Sequence, residues 1–366
     1  LQRGTDTGRG TDLNERVTVA AAHRNLFGTG RYLGLEIVAS SEEQEGFLTY
    51  REPFISRWDV PLQFQIFQSD DSTRRGTQIR QRGLSLEASK IARQRMRWAL
   101  RYEYKISECV KGLLCTDIRD RVPVADFDPA LLDIQISSIA PTFFWDRRDD
   151  IIDPHRGFFA SASVEYAFEL FKADAKFLKE YAQGAWYLPI SDRTVVALSG
   201  RFGLMQPYGG QTDADMPLSE RFTAGGETTH RSYALDRLGD LCRTSPEEGY
   251  AVIPNCDATL YQSAKLNDDG TLKLGPVLAA GGSGLLLFNA EYRFPIFSSL
   301  GGAVFVDAGN VYRSHTIDFD QIKYGAGFGL RYLSPVGPIR IDVARPFQKR
   351  WYEDSWQYFI ALGYAF

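Results

Sequence analysis

The sequence predicts an all-β protein, a transmembrane antiparallel barrel of about 16 strands. Three observations point to a barrel. From Met96 to Ile106, Met96, Trp98, Leu100, Tyr102, Tyr104 and Ile106 alternate with Arg97, Ala99, Arg101, Glu103 and Lys105. A strand sends successive side chains to opposite faces, so one face is apolar or aromatic and the other carries charge. The connections between such segments are mostly short after even-numbered strands, and the two longest follow odd-numbered ones. Finally, 18 Tyr, 24 Phe and 6 Trp supply the aromatic girdles that flank the apolar band of a membrane barrel.

The alternation recurs along the chain. Leu33, Leu35 and Ile37 enclose Gly34 and Glu36, and Leu62, Phe64 and Ile66 enclose two glutamines. Ile339, Ile341 and Val343 enclose Arg340 and Asp342. The chain ends on Tyr358, Ile360, Leu362, Tyr364 and Phe366, read as one unbroken outward row with small residues behind it. No helical stripe of useful length competes. Strands are expected near 1–8, 14–24, 30–40, 44–53, 60–69, 77–90, 93–106, 133–145, 157–169, 174–188, 193–205, 285–294, 300–312, 322–333, 338–345 and 357–366. The two longest connections are then about 107–132 and 206–284. Outer-membrane barrels have short periplasmic turns and long external loops, which the parity matches.

Composition excludes several classes. The formal net charge is -4, with 24% charged residues, so there is no basic footprint for nucleic acid. No window approaches 18 consecutive apolar residues, which excludes a transmembrane helix but not transmembrane strands. The N-terminus shows no signal-peptide pattern, so a membrane reading treats the chain as a mature or truncated product. Cys109 with Cys115 and Cys242 with Cys256 form two local pairs with no histidine close by in sequence. Neither spacing suits a metal site. Both pairs are expected to be disulfides in external loops of an oxidising compartment, with reduced thiols as the alternative. No metal and no cofactor is expected.

The stretch Arg221–Tyr233, R-F-T-A-G-G-E-T-T-H-R-S-Y, reads as a tip that folds back on itself. Gly225 and Gly226 permit positive φ or a close backbone approach. A single cation, Arg231, stands between His230 and Ser232, ahead of Tyr233. Taken alone, these residues also fit a glycine turn with a solvated arginine.

Four ordered motifs change that balance. F-T-A-G-G-E-T-T-H-R-S-Y, beginning at Phe222, resembles the sixth-loop motif of the outer-membrane assembly-protein superfamily. That superfamily includes BamA and TamA barrels, two-partner-secretion transporters and the Sam and Toc channels. G-G-S-G-L-L-L-F-N-A-E-Y-R-F-P (281–295) and G-G-A-V-F-V-D-A-G-N-V-Y (301–312) are similar to the two strands that follow this loop. Y-G-A-G-F-G-L-R-Y-L-S-P-V-G-P-I-R-I-D-V-A (324–344) resembles the closing hairpin, and terminal Phe366 the signal by which barrels are recognised for assembly. The match is strong over the C-terminal part of the chain and weak over the rest.

The resemblance implies that the loop folds into the lumen and that Arg231 pairs with Glu291 and Asp307 on the inner wall. A guanidinium in a partly dehydrated lumen needs a planar carboxylate partner, which agrees. Ser232 stands where the family has glycine, so a positive φ there would be strained. Residues 1–366 read as a single barrel domain, with periplasmic POTRA domains absent from this sequence. The implied function is a BamA-like assembly factor that folds and inserts β-barrel proteins through a lateral seam. The alternative is a TamA-like or two-partner-secretion translocator of a specific client. An enzyme is disfavoured because G-G-S-G lacks nucleophile-elbow spacing, and a passive porin because the loop plugs the lumen. Implied partners are outer-membrane lipids, unfolded barrel clients, periplasmic chaperones and accessory lipoproteins. The implied location is the bacterial outer membrane, with loops outside and the C-terminus periplasmic. The seam is expected between the glycine-rich opening segment, Leu1 to Gly10, and the last strand, because glycine weakens strand interiors.

Overall fold

The computed structural model describes residues 2–6, 12–40, 43–53, 60–71, 77–92, 95–112, 133–239, 241–243, 277–279, 281–297, 299–334, 337–349 and 353–366. Its first half holds β1 (Gln2–Asp6), β2 (Asp12–Leu26), β3 (Arg31–Ala39), β4 (Glu43–Glu52), β5 (Leu62–Asp71), β6 (Thr77–Ile91), β7 (Met96–Gly112), β8 (Ile134–Asp146) and β9 (Gly157–Ala167). The second half holds β10 (Phe177–Ser191), β11 (Thr194–Pro207), β12 (Leu241–Arg243), β13 (Val277–Ala279), β14 (Gly284–Pro295), β15 (Leu300–Tyr312), β16 (Lys323–Ser334), β17 (Gly337–Pro346) and β18 (Gln357–Leu362). Two single-turn 3-10 helices, Asp213–Asp215 and Phe319–Gln321, sit in connections.

Sixteen strands form one antiparallel sheet in chain order, β1 to β11 and then β14 to β18. β12 and β13 pair with each other inside the connection between β11 and β14. The sheet curls until β1 and β18 come within contact distance. Among the described residues no hydrogen-bonded ladder joins these two strands.

The two faces of the sheet invert the pattern of a water-soluble protein. On β14, Tyr292 is 43% exposed while neighbouring Glu291 is 1% exposed; on β15, Val306 is 48% exposed and Asp307 0%. Apolar side chains face outward along strand after strand: Trp98 and Leu100 on β7, Phe328 and Leu330 on β16, Tyr358 and Ile360 on β18. An exposed apolar surface of this extent fits a lipid-facing belt, with the ionised groups turned into the lumen. No helix among the described residues is long and apolar enough to cross a membrane.

The long connections follow β7 and β11, as the alternation predicts. The turns after β2 (27–30) and β10 (192–193) are short. The first of these places Phe27, Gly28 and Gly30 at positive φ.

Two expectations are corrected. β7 continues to Gly112, so Cys109 lies in a strand opposite Ile79 and not in the following connection. Cys242 lies in β12. Cys115 and Cys256 fall outside the described residues, and with them both pairings. The terminal row is also interrupted. β18 stops at Leu362, and Gly363 takes φ 90° while its N–H donates to the Pro338 carbonyl at 2.7 Å. Tyr358, Ile360 and Leu362 face outward, but the tail beyond Gly363 bends into the lumen. Tyr364 lies on the guanidinium of Arg293, 3.9 Å from ring centroid to Cζ. Phe366 packs against Ala185, Tyr187, Val195 and Ala197 on the inner faces of β10 and β11. Glycine permits this turn without the steric penalty that a side chain would meet at positive φ.

Candidate functional site

The connection between β11 and β14 runs into the barrel, and its tip is built by local backbone bonds. The Phe222 N–H donates to the Gly282 carbonyl at 2.8 Å and the Gly282 N–H returns to Phe222 at 3.0 Å. The Gly226 N–H donates to Tyr233 O at 2.8 Å, and the Leu238 N–H to Ala224 O at 2.8 Å. Gly225 and Gly226 take φ 110° and 98°. A Cβ on Gly225 would stand 2.3 Å from the Ala234 carbonyl oxygen, so this crossing of backbones requires glycine. The Thr229 hydroxyl bridges both backbone groups of Gly225, at 2.9 and 2.8 Å.

This tip presents Arg231 to the wall formed by β14 and β15. Asp307 accepts from Nε at 3.0 Å through Oδ2 and from Nη2 at 2.8 Å through Oδ1, a side-on fork. The Arg231 backbone N–H also donates to Asp307 Oδ2, at 2.8 Å. Nη1 donates to Glu291 Oε2. The guanidinium lies over the Phe305 ring, with Cζ 3.4 Å from its centroid. The three residues that the sequence put together are together, and all are buried. Burial alone would pull the Arg231 pKa down; Asp307 and Glu291 outweigh it and raise it above the ordinary arginine range. The guanidinium therefore stays charged, and the paired geometry offsets its desolvation.

The network is wider than the sequence suggests. Arg293 donates to Glu291 Oε1 at 2.8 Å and Arg331 to Glu291 Oε2 at 3.2 Å. Arg331 and Arg340 both donate to Asp342, at 2.5 and 2.9 Å. Arg340 also reaches the Glu227 carbonyl of the loop at 2.9 Å. Asn289 donates to Asp307 Oδ1 at 2.9 Å and to the Thr229 carbonyl at 2.5 Å. Period two is the signal that could have found these residues: Asn289, Glu291 and Arg293 share one face of β14, and Arg340 and Asp342 one face of β17.

A second group of charges grips the loop's stem. Glu220 lies between Lys105 of β7, at 2.7 Å, and Lys179 of β10, at 3.1 Å. Burial would push the Glu220 carboxyl up; the two lysines reverse this and hold it below the usual carboxylate range. Nothing local in the sequence marks Glu220, because its partners lie far away along the chain.

β16 leaves room for the tip. Gly325, Gly327 and Gly329 occupy its inner face, with Gly325 directly across from Asp307 in the ladder. A Cβ on Gly325 would stand 2.0 Å from Ser232 Oγ, and one on Gly327 would stand 2.4 Å from the Phe305 ring. Ser232 is not among the residues with positive φ, so the strain expected there is absent. The Ser232 side chain occupies the space that Gly325 vacates. The remaining motif residues also hold the loop. Phe222 packs over Gly203 and stacks on Tyr181, with centroids 6.2 Å apart. The Tyr233 hydroxyl donates to the Gln348 carbonyl at 2.5 Å.

The sequence and the fold both have known relatives. Residues 25–366 match the model of the Omp85 superfamily domain. The chain is 23% identical to the outer membrane protein assembly factor BamA of Neisseria meningitidis serogroup B, over 96% of this chain and 45% of the relative. It is 24% identical to a SAM50-like protein of Schizosaccharomyces pombe, over 57% of this chain and 40% of the relative. The chain thus spans less than half the length of either relative. Among solved structures, BamA from Haemophilus ducreyi lacking POTRA domains 1–3 superposes with a TM-score of 0.74 at 18% identity, covering 99% of this chain and 69% of that one. CdiB from Escherichia coli superposes with a TM-score of 0.54 at 12% identity, covering 99% and 61%. At these identities the likeness of structure speaks for the barrel fold, and the family match covers most of the sequence: the chain belongs to the Omp85 superfamily.

Proposed function

We propose that this chain is the barrel of an assembly factor that folds and inserts β-barrel proteins into the bacterial outer membrane through the seam between β1 and β18. The observation that supports this reading is the state of those two edges. β18 pairs with β17 over six residues and turns inward at Gly363. Unpaired strand edges are costly in lipid, and each offers backbone N–H and C=O groups to an incoming client strand. No covalent chemistry is required. Clients would be unfolded barrel proteins, aided by periplasmic chaperones and accessory lipoproteins. The long connections would lie outside the cell and the C-terminus in the periplasm.

The test is a cross-link over the seam. Cysteines placed at Thr5 and Leu362, verified as an oxidised bridge by mass spectrometry, should block client insertion into vesicles, and reduction should restore it. Unchanged insertion by the bridged barrel would overturn lateral opening. A translocator of a specific client is the competing reading. It requires the lumen loop to move aside, and a bridged seam would leave its transport intact.

A further inference from the structure

We infer that Glu220 is a second positioning residue of the lumen loop, clamping its stem to β7 and β10 while Arg231 holds the tip to β14 and β15. The inference rests on loop geometry and is independent of whether the barrel inserts clients or transports them. Glu220 is 4% exposed, and both its oxygens are engaged, Oε1 by Lys105 and Oε2 by Lys179. Lys105 is itself steadied by Glu103, at 3.0 Å. Two residues on, Phe222 extends the clamp with an apolar wedge. Its ring occupies the space above Gly203, where a Cβ would stand 2.6 Å away, and Lys179 Nζ lies 5.3 Å from its centroid.

The mechanics follow from the placement of the two contacts. The loop leaves the wall at the end of β11 and rejoins it at β14. The tip is held at Glu227, Thr229, Arg231 and Tyr233. Glu220, eleven residues before Arg231, adds a fixed point on the stem. A stem so fixed delivers Arg231 to Asp307, whose carboxylate then sets the plane of the guanidinium. The lysines' neutralisation of a buried carboxylate makes the clamp selective: glutamine has nearly the same shape but removes the charge that Lys105 and Lys179 share.

Amide hydrogen exchange of the folded barrel in detergent, read by mass spectrometry, tests this. Glu220→Gln should speed exchange across 221–238 by about tenfold or more, the signature of a local opening, with β14 and β15 peptides unchanged. The double variant Glu220→Gln with Lys105→Met should lose less protection than the sum of the two single variants, because the two share one ion pair. Exchange in Glu220→Gln equal to the parent protein would overturn the clamp. So would strict additivity in this cycle, since that result assigns Glu220 a space-filling role. Heat-modifiable migration on gels reports that each variant still forms the barrel.

Discussion

Asp307 holds Arg231 by main chain and side chain at once: its Oδ2 accepts from both the backbone N–H and Nε, and its Oδ1 from Nη2. One carboxylate therefore fixes the turn of the loop as well as the plane of the guanidinium. A lysine at 231 could supply the charge but not the fork.

Breaking this pair from either side should loosen the loop. Arg231→Ala leaves the buried Asp307 with Asn289 while Glu291 keeps Arg293 and Arg331, and Asp307→Ala leaves Arg231 with Glu291, each change costing up to about 3–5 kcal/mol in a dry site. Because the two share one interaction, the double variant should cost less than the sum of the singles. Amide exchange over 221–238 in the four proteins measures the cycle, and strict additivity would contradict the pairing. Arg231→Lys should fall between parent and alanine.

Gly325 and Ser232 should behave as a compensating pair. Gly325→Ala drives a methyl to within 2.0 Å of Ser232 Oγ and 3.0 Å of the Arg345 carbonyl. Overpacking of this kind costs about 1–3 kcal/mol. Adding Ser232→Gly removes the first clash and should regain part of the loss. The measurement is the midpoint of heat modification for the parent, both single variants and the double. A double variant no more stable than Gly325→Ala would refute the contact.

Acid should loosen the tip through His230. Its Nε2 lies 3.2 Å from the Lys323 carbonyl, where a neutral ring donates, and Nδ1 has no hydrogen-bond partner among the described residues. Burial lowers its pKa, and the nearby Asp307 carboxylate opposes this without reversing it. The folded loop thus binds fewer protons than the unfolded one. Its stability from this group is complete above the unfolded value of about 6.5 and is lost as pH falls toward the folded value, at up to about 1.4 kcal/mol per unit. Loop exchange, corrected for the intrinsic rate, should rise as the pH drops from 7 to 5. His230→Phe keeps a ring against Tyr233 and should remove most of that dependence; an unchanged pH profile in this variant would exclude His230 as its source.

Much of this architecture can be read from the chain because a barrel wall is written locally. Period two places Glu291 and Asp307 on the inner face and Tyr292 and Val306 on the outer, with no knowledge of partners. Arg231 is legible because its partners accompany it in ordered motifs. Glu220 is not, since a carboxylate meeting Lys105 and Lys179 leaves no spacing to recognise. The tail departs from its pattern for a related reason. Tyr364 and Phe366 continue the alternation perfectly well, and only the left-handed backbone at Gly363 turns them inward. Alternation reports which residues could share a face, not where a strand stops.

The tail's turn also changes what lipid meets at that edge. Six residues of β18 extend about 20 Å at roughly 3.4 Å each. At a tilt of about 40° they rise about 15 Å, against an apolar band of about 25 Å on a typical outer-membrane barrel. Tyr358, Ile360 and Leu362 are the side chains β18 offers outward, while Tyr364 and Phe366 spend their rings on Arg293 and the inner wall. The outward row of β18 is therefore shorter than a typical apolar band. In an outer membrane, acyl chains beside it would meet hydrophobic mismatch, which a bilayer relieves by compressing.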